Sequence, residues 1–233
     1  MSGAYQEYAE ETVGQYDWPI PRHAYLLSYF LIVGMTAIWT WQFMTNRIAD
    51  WGLSAKALAE GRFETIPLHI ITHGPIFHIA MNMYALHVIG PRVIARLGSP
   101  RRAAGAFLLL FFLSGLAGST LFLAFHLQGS VPMVGASGAI YGLLGLLVRL
   151  PPPGDEMKAM DRDHAWQLTK EFVRDNGWLF VALTLPNLLA GREGGLAWEA
   201  HLGGFLFGLA TASLFWKVST TAGEPPEVSA DTV

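Results

Sequence analysis

Six stretches of this chain approach the ~20 predominantly apolar residues that a helix needs to cross a bilayer. They cover residues 24–44, 69–90, 103–125, 132–150, 177–191 and 195–216. A chain built this way must satisfy its backbone inside each segment, so the fold class expected is all-α: a polytopic membrane protein with a six-helix bundle. Only 14% of its 233 residues are Asp, Glu, Lys or Arg, against roughly 25% in an ordinary soluble domain. The stretches at 24–44 and 103–125 contain no charge at all. The stretch at 177–191 is short and carries Pro186 and Asn187, so it is expected to extend into 172–176 and to be kinked inside the bundle.

The cations give an orientation, because Lys and Arg stay on the cytoplasmic side. Of the 15 Lys and Arg, only Arg47, Lys56, Arg62 and Arg192 fall on the side opposite the rest. Both termini are therefore predicted to be cytoplasmic, with residues 45–68, 126–131 and 192–194 external. Residues 1–22 read as a cytoplasmic tail, 23–217 as the membrane-embedded domain, and 218–233 as a second cytoplasmic tail. The acidic start (Glu7, Glu10, Glu11, Asp17) has no basic region of the kind that opens a secretory signal. Zero Cys excludes a disulfide framework, a thiolate metal site and a Cys nucleophile. A net charge of −3 leaves no basic surplus for nucleic acid.

Polar side chains in hydrocarbon are costly, and three groups stand out. Span four opens with Gly135-Ala136-Ser137-Gly138 followed by Tyr141, span six holds Ala200-His201 followed by Gly203, Gly204 and Gly208, and span two holds His78 and Asn82 at i and i+4. Each alone is open to a blander reading. Ser137 is a common helix-packing residue, His201 suits a hydrogen-bonded core or a proton relay, and His78 with Asn82 resembles interhelical glue. Together they suit acyl transfer. A serine hydroxyl needs a base to take its proton, and a neutral imidazole is the usual one. Gly138-x-x-x-Gly142 and Gly204-x-x-x-Gly208 would let spans four and six approach closely enough for Ser137 to meet His201.

At 1.5 Å per residue Ser137 and His201 lie about 7–9 Å below the outer ends of their spans, whereas His78 and Asn82 read nine and thirteen residues deep in theirs. No carboxylate is placed to complete a triad, since Glu199 is two residues from His201 on another helix face. The Ser137 amide, His78 and Asn82 are the residue types that could stabilise an oxyanion.

These motifs, in this order on spans two, four and six, resemble the rhomboid intramembrane serine proteases over roughly residues 65–216. Arg96-Leu97-Gly98-Ser99 is similar to the cytoplasmic turn of that family. The resemblance implies a six-helix rhomboid-like core, Ser137 as nucleophile, and His201 as general base and acid. It also implies an oxyanion hole from Asn82, His78 and the Ser137 amide, with Tyr141 supporting the imidazole and Gly135 beside the site. The implied activity is that of a serine-type endopeptidase that cuts transmembrane protein substrates near their outer ends, with no metal and no cofactor. Its implied place is the bacterial inner membrane, with the lipid bilayer and its substrates as partners. One departure is plain: where many members carry a Trp-Arg pair in the first external loop, this chain has Trp51-Gly52 and Gly61-Arg62. His73 with Gly74-Pro75 is expected to hold water or bend the backbone, and His69 and His87 to pack.

Two other readings are weighed. A non-proteolytic protein of the same fold that binds transmembrane clients usually lacks the Ser or the His, and both are present here. A His-lined metal or proton transporter would use His69, His73, His78 and His201, but it lacks buried carboxylates, Cys and an inverted repeat. The sequence has no His-Glu-x-x-His, and its only Gly-Asp, at 154–155, sits in a Pro-rich loop.

Overall fold

A computed structural model of the chain describes residues 20–149 and 197–220, together with Arg174. Most of the predicted tails, the predicted loop after residue 149 and the predicted fifth span fall outside the described residues. Helix α1 spans Arg22–Thr45, α2 Ala55–Ala59, α3 Thr65–Leu68, α4 Ile76–Arg96, α5 Pro100–Phe125, α6 Ser137–Arg149 and α7 Trp198–Thr220. No strand longer than an isolated bridge occurs among the described residues, so the architecture is all-α. Helices α1 and α5 are long and apolar enough to cross a membrane.

Helix α1 carries its apolar side chains outward: Leu26, Phe30, Val33 and Met44 are each about two-thirds exposed or more. Such a surface is a liability in water and an ordinary one in lipid. The helix ends where Asn46 takes a left-handed conformation (φ 55°). Asn tolerates that region better than most residues, and the turn satisfies the last carbonyls. The interior is formed where α4, α5, α6 and α7 meet, around the fully buried Leu86, Ile94, Phe107, Phe111, Leu143 and Leu146.

Two starts differ from those read off hydropathy. Span two was placed from residue 69, but residues 69–71 form a 3-10 turn, Thr72 is extended, and α4 begins only after Pro75. Proline disfavours helix in the residue before it and is at home just before or at a helix start, so Gly74-Pro75 resets the segment. Span four was placed from residue 132, but residues 132–136 are not helical and α6 begins at Ser137. Gly135 has φ +126°, which no helix accommodates. These shifts narrow the difference in position along the helices for His78, and Asn82 follows it by one turn. His78 is the third residue of α4, Ser137 the first of α6 and His201 the fourth of α7.

Ser137 is the first residue of α6, and the non-helical backbone at 132–136 that leads to it must find hydrogen-bond partners elsewhere. It does. Met133 exchanges both backbone hydrogen bonds with Leu53, at 2.9 and 2.8 Å, Gly135 N–H donates to His69 O at 2.9 Å, and Ala136 N–H donates to His73 Nε2 at 3.4 Å. The 46–75 connection, pinned by the Ser54 cap on Ala57 N–H (3.1 Å), thus braces the approach to Ser137. Its Arg62 donates to Asp50 O at 2.6 Å.

Candidate active site

Helices α6 and α7 touch through backbone. A Cβ on Gly204 would overlap the carbonyl of Gly138, and one on Gly208 would overlap that of Gly142. A Cβ on Gly145 would overlap Phe205 O. Contact numbers rise together on both helices, so the two run parallel, and glycine alone leaves room for the approach. On the other side α7 meets α5, where a Cβ on Gly203 would come within 2.8 Å of Ala117 O and one on Gly118 within 3.3 Å of the Ala200 carbonyl carbon. The seam encoded by the two Gly-x-x-x-Gly patterns is formed as expected.

The seam brings His201 over the face of α6 that carries Ser137. Tyr141 follows Ser137 by one turn, and its ring stacks flat on His201, centroids 4.3 Å apart and planes 7° apart. His201 is 6% exposed and its Nδ1 is buried without a hydrogen-bond partner. Ser137 Oγ and His201 are not hydrogen-bonded to each other here. In catalytic sites of this kind that bond commonly tightens only around the substrate.

Gly135 forms the other wall. A Cβ there would stand 2.7 Å from His78 Nε2 and 3.8 Å from Ser137 Oγ. The His78 ring therefore packs directly on Gly135, with Ser137 Oγ close by on the same side, an approach that only a residue without a side chain and at ease at that φ allows.

The ring of His78 is oriented by its own turn. Gly74 N–H donates to His78 Nδ1 at 3.3 Å, so Nδ1 is the acceptor and the ring proton sits on Nε2, the atom that faces Gly135. The Ser137 N–H, at the first position of α6, has no intrahelical acceptor. Two N–H donors thus border the space beside Ser137 Oγ. Asn82 is 5% exposed, and its Nδ2 donates to His78 O at 2.8 Å. One of its two N–H bonds is therefore spent within α4, which steadies the His78 turn, and the other remains.

Glu199 is buried in the first turn of α7, but its carboxylate lies 3.9 Å from His126 Nε2. It faces the end of α5, in keeping with its reading as no part of a triad. His69 and His87 pack as expected: His69 Nδ1 bonds Thr65 O at 3.1 Å, and His87 stacks on Tyr29 at 5.7 Å. His73 is fully buried and takes the Ala136 N–H, so it holds the backbone next to Ser137. Sequence reasoning missed the acceptor role of His73 Nε2, the bridge between Leu53 and Met133, and the bond from Trp39 Nε1 to Gly74 O at 2.8 Å. The Gly-Pro break at 74–75 was the one signal that pointed to this region.

The Rhomboid domain, as a family profile, matches residues 60–218. Among curated relatives, the chain is 29% identical over 171 residues to the rhomboid protease GluP of Bacillus subtilis, covering 72% of this chain and 29% of that protein. It is 31% identical over 146 residues to the mitochondrial rhomboid protein 1 of Saccharomyces cerevisiae, covering 59% of this chain and 38% of that protein. It is 35% identical over 96 residues to RHOMBOID-like protein 5 of Arabidopsis thaliana, covering 41% of this chain and 29% of that protein. The chain thus spans well under half the length of these relatives.

Proposed function

The chain belongs to the rhomboid family, and from that premise we propose that it is an intramembrane serine endopeptidase working through a Ser137–His201 dyad. The observation that carries the reading is the close packing of His78 Nε2 on Gly135 next to Ser137 Oγ, together with the stack of His201 on Tyr141, one turn after Ser137. In the proposed reaction Ser137 Oγ attacks a substrate carbonyl while His201 takes the hydroxyl proton. The carbonyl oxygen, now negative, receives N–H bonds from His78 Nε2 and the Ser137 amide, with the second Asn82 N–H as a third donor. His201 then gives its proton to the leaving amine, and the C–N bond breaks to leave an acyl-serine. Water, deprotonated by the same imidazole, releases the new carboxylate and restores Ser137. Residues 23–217 form the protease domain in this reading, and 1–22 and 218–233 are its tails.

A peptide bond in a helix is shielded by its own hydrogen bonds, so the substrates proposed are transmembrane segments that unwind easily near their outer ends. The setting proposed is a bacterial plasma membrane with both termini cytoplasmic, which the cation distribution supports. The test is cleavage of a transmembrane reporter by wild type, Ser137→Ala and His201→Ala, with fluorophosphonate labelling. The expected result is cleavage and labelling in wild type and neither in the variants. A folded wild type that is inert towards several reporters and unlabelled at Ser137 would overturn the reading in favour of client binding without proteolysis.

A further inference from the structure

Helix α1 stands apart from Ser137 and His201 in sequence, and the motifs assign it nothing beyond crossing the membrane. Its outer end is nevertheless tied by side chains to the turn that precedes α4. Trp39 Nε1 donates to Gly74 O at 2.8 Å, and one turn further on the buried Gln42 donates from Nε2 to Thr72 Oγ1 at 3.2 Å. Thr72 Oγ1 in turn donates to Leu68 O at 2.9 Å. These contacts grip a segment that is neither helix nor strand, so without them its backbone would have no regular structure to fix it.

Gly74 is bonded on both sides. Its carbonyl accepts from Trp39, and its N–H donates to His78 Nδ1 at 3.3 Å. Gly74 also leaves little slack, since a Cβ there would stand 3.2 Å from His78 Nδ1. The bond from Gly74 decides which nitrogen of His78 carries the proton, and that nitrogen, Nε2, packs on Gly135 near Ser137 Oγ. If the Gly74 N–H swings away, Nδ1 loses its donor. The ring is then free to take its proton there, turning Nε2 from donor to acceptor, which would repel an oxyanion.

We infer that Trp39 is a positioning residue for the active site: through the Gly74 peptide it holds His78 in the tautomer that presents Nε2–H to the oxyanion, with Gln42 as a second anchor at Thr72. The inference rests on the protease reading for its kinetic consequence but not for its structural one. Removing the indole N–H acts on transition-state stabilisation rather than on substrate binding, so it falls on kcat and leaves KM nearly unchanged.

The test replaces Trp39 by Phe and, in a second protein, by β-(3-benzothienyl)alanine, which keeps the shape of the indole without its N–H. Both are measured in the full chain alone and in a His78→Ala background. Partial loss of one oriented donor predicts a fall in kcat of about tenfold, less than the 10²–10³ of deleting such a donor outright. In the His78→Ala background the Trp39 replacements should add no further loss. The nitrogen resonances of ¹⁵N-labelled His78 should report protonated Nε2 in wild type and a mixture of tautomers in both replacements. Full kcat in the benzothienyl protein, a loss that multiplies with His78→Ala, or an unchanged His78 tautomer would each overturn the inference. A wild type that neither cleaves nor labels would instead refute the protease reading, and the tautomer measurement would still decide the role of Trp39.

Discussion

Gly204→Ala is the substitution whose effect the structure fixes most tightly. The added methyl would overlap Gly138 O and stand only 2.8 Å from the Gly138 carbonyl carbon and 3.3 Å from its Cα. Everything it meets is backbone, so no side chain can rotate away. Relief requires α7 to move from α6 by about 1 Å, and overpacking of this kind costs about 1–3 kcal/mol. Gly138 is the neighbour of Ser137, and Gly204 follows His201 by less than one turn, so the displacement falls on the dyad itself. A misplacement of that size costs on the order of 100-fold in rate.

The assay is kcat on a transmembrane reporter in detergent, with the unfolding midpoint measured on the same sample. Gly34→Ala and Gly105→Ala serve as controls, because a Cβ at either meets nothing within 4 Å. Both controls should keep full activity and gain about 0.5–1 kcal/mol in stability from the loss of helical glycine. Wild-type kcat and midpoint in Gly204→Ala would refute the reasoning, since they would mean that the backbones do not touch.

Gly135→Ala should abolish cleavage and fluorophosphonate labelling together, because its methyl would stand within 2.7 Å of His78 Nε2 and displace that ring, and because its φ of +126° disfavours any side chain. Retained labelling there would show that the placement of His78 does not serve the oxyanion. Replacing His73 by Ala should lower turnover less than His201→Ala, since His73 holds the Ala136 N–H and no reacting atom; equal abolition in a cleavage time course would contradict its assignment. Tyr141→Ala should cost about tenfold in kcat by removing the ring stacked on His201, and Tyr141→Phe less than that, because an aromatic stack is worth about 0.5–1.5 kcal/mol. The reverse order in kcat would mean that the hydroxyl, not the ring face, carries the effect.

The sequence carried the fold class, the Ser137, Tyr141 and His201 neighbourhood, and the glycine seam, because each is written in short-range spacing. Gly138, Gly142, Gly204 and Gly208 declare a close approach by their period alone, and no other residue type would serve. Hydropathy misplaced the starts of α4 and α6 because it measures polarity and not backbone geometry. Residues 69–75 and 132–136 are apolar enough to extend a span, yet they are held in turns and extended chain by Pro75, Gly135 and the pairing of Leu53 with Met133. That pairing joins residues eighty apart in sequence, and no local pattern announces it. Trp39 was equally silent. A tryptophan near the end of a membrane helix has an ordinary interfacial use, and only the position of Gly74 O shows what its N–H does.

The contact between α6 and α7 also bears on how a substrate can reach Ser137. Where Gly138 meets Gly204 and Gly142 meets Gly208 there are no side chains to act as bearings, and the carbonyls of one helix lie against the bare Cα atoms of the other. Sliding would drive carbonyl into carbonyl, and separation would strip both surfaces of their packing at once. The proposed nucleophile and base, Ser137 and His201, therefore travel as one piece. Any opening that admits a peptide has to come from elements on the other sides of Ser137, so variants that loosen those elements should raise turnover without altering the chemistry, whereas loosening the seam can only slow it.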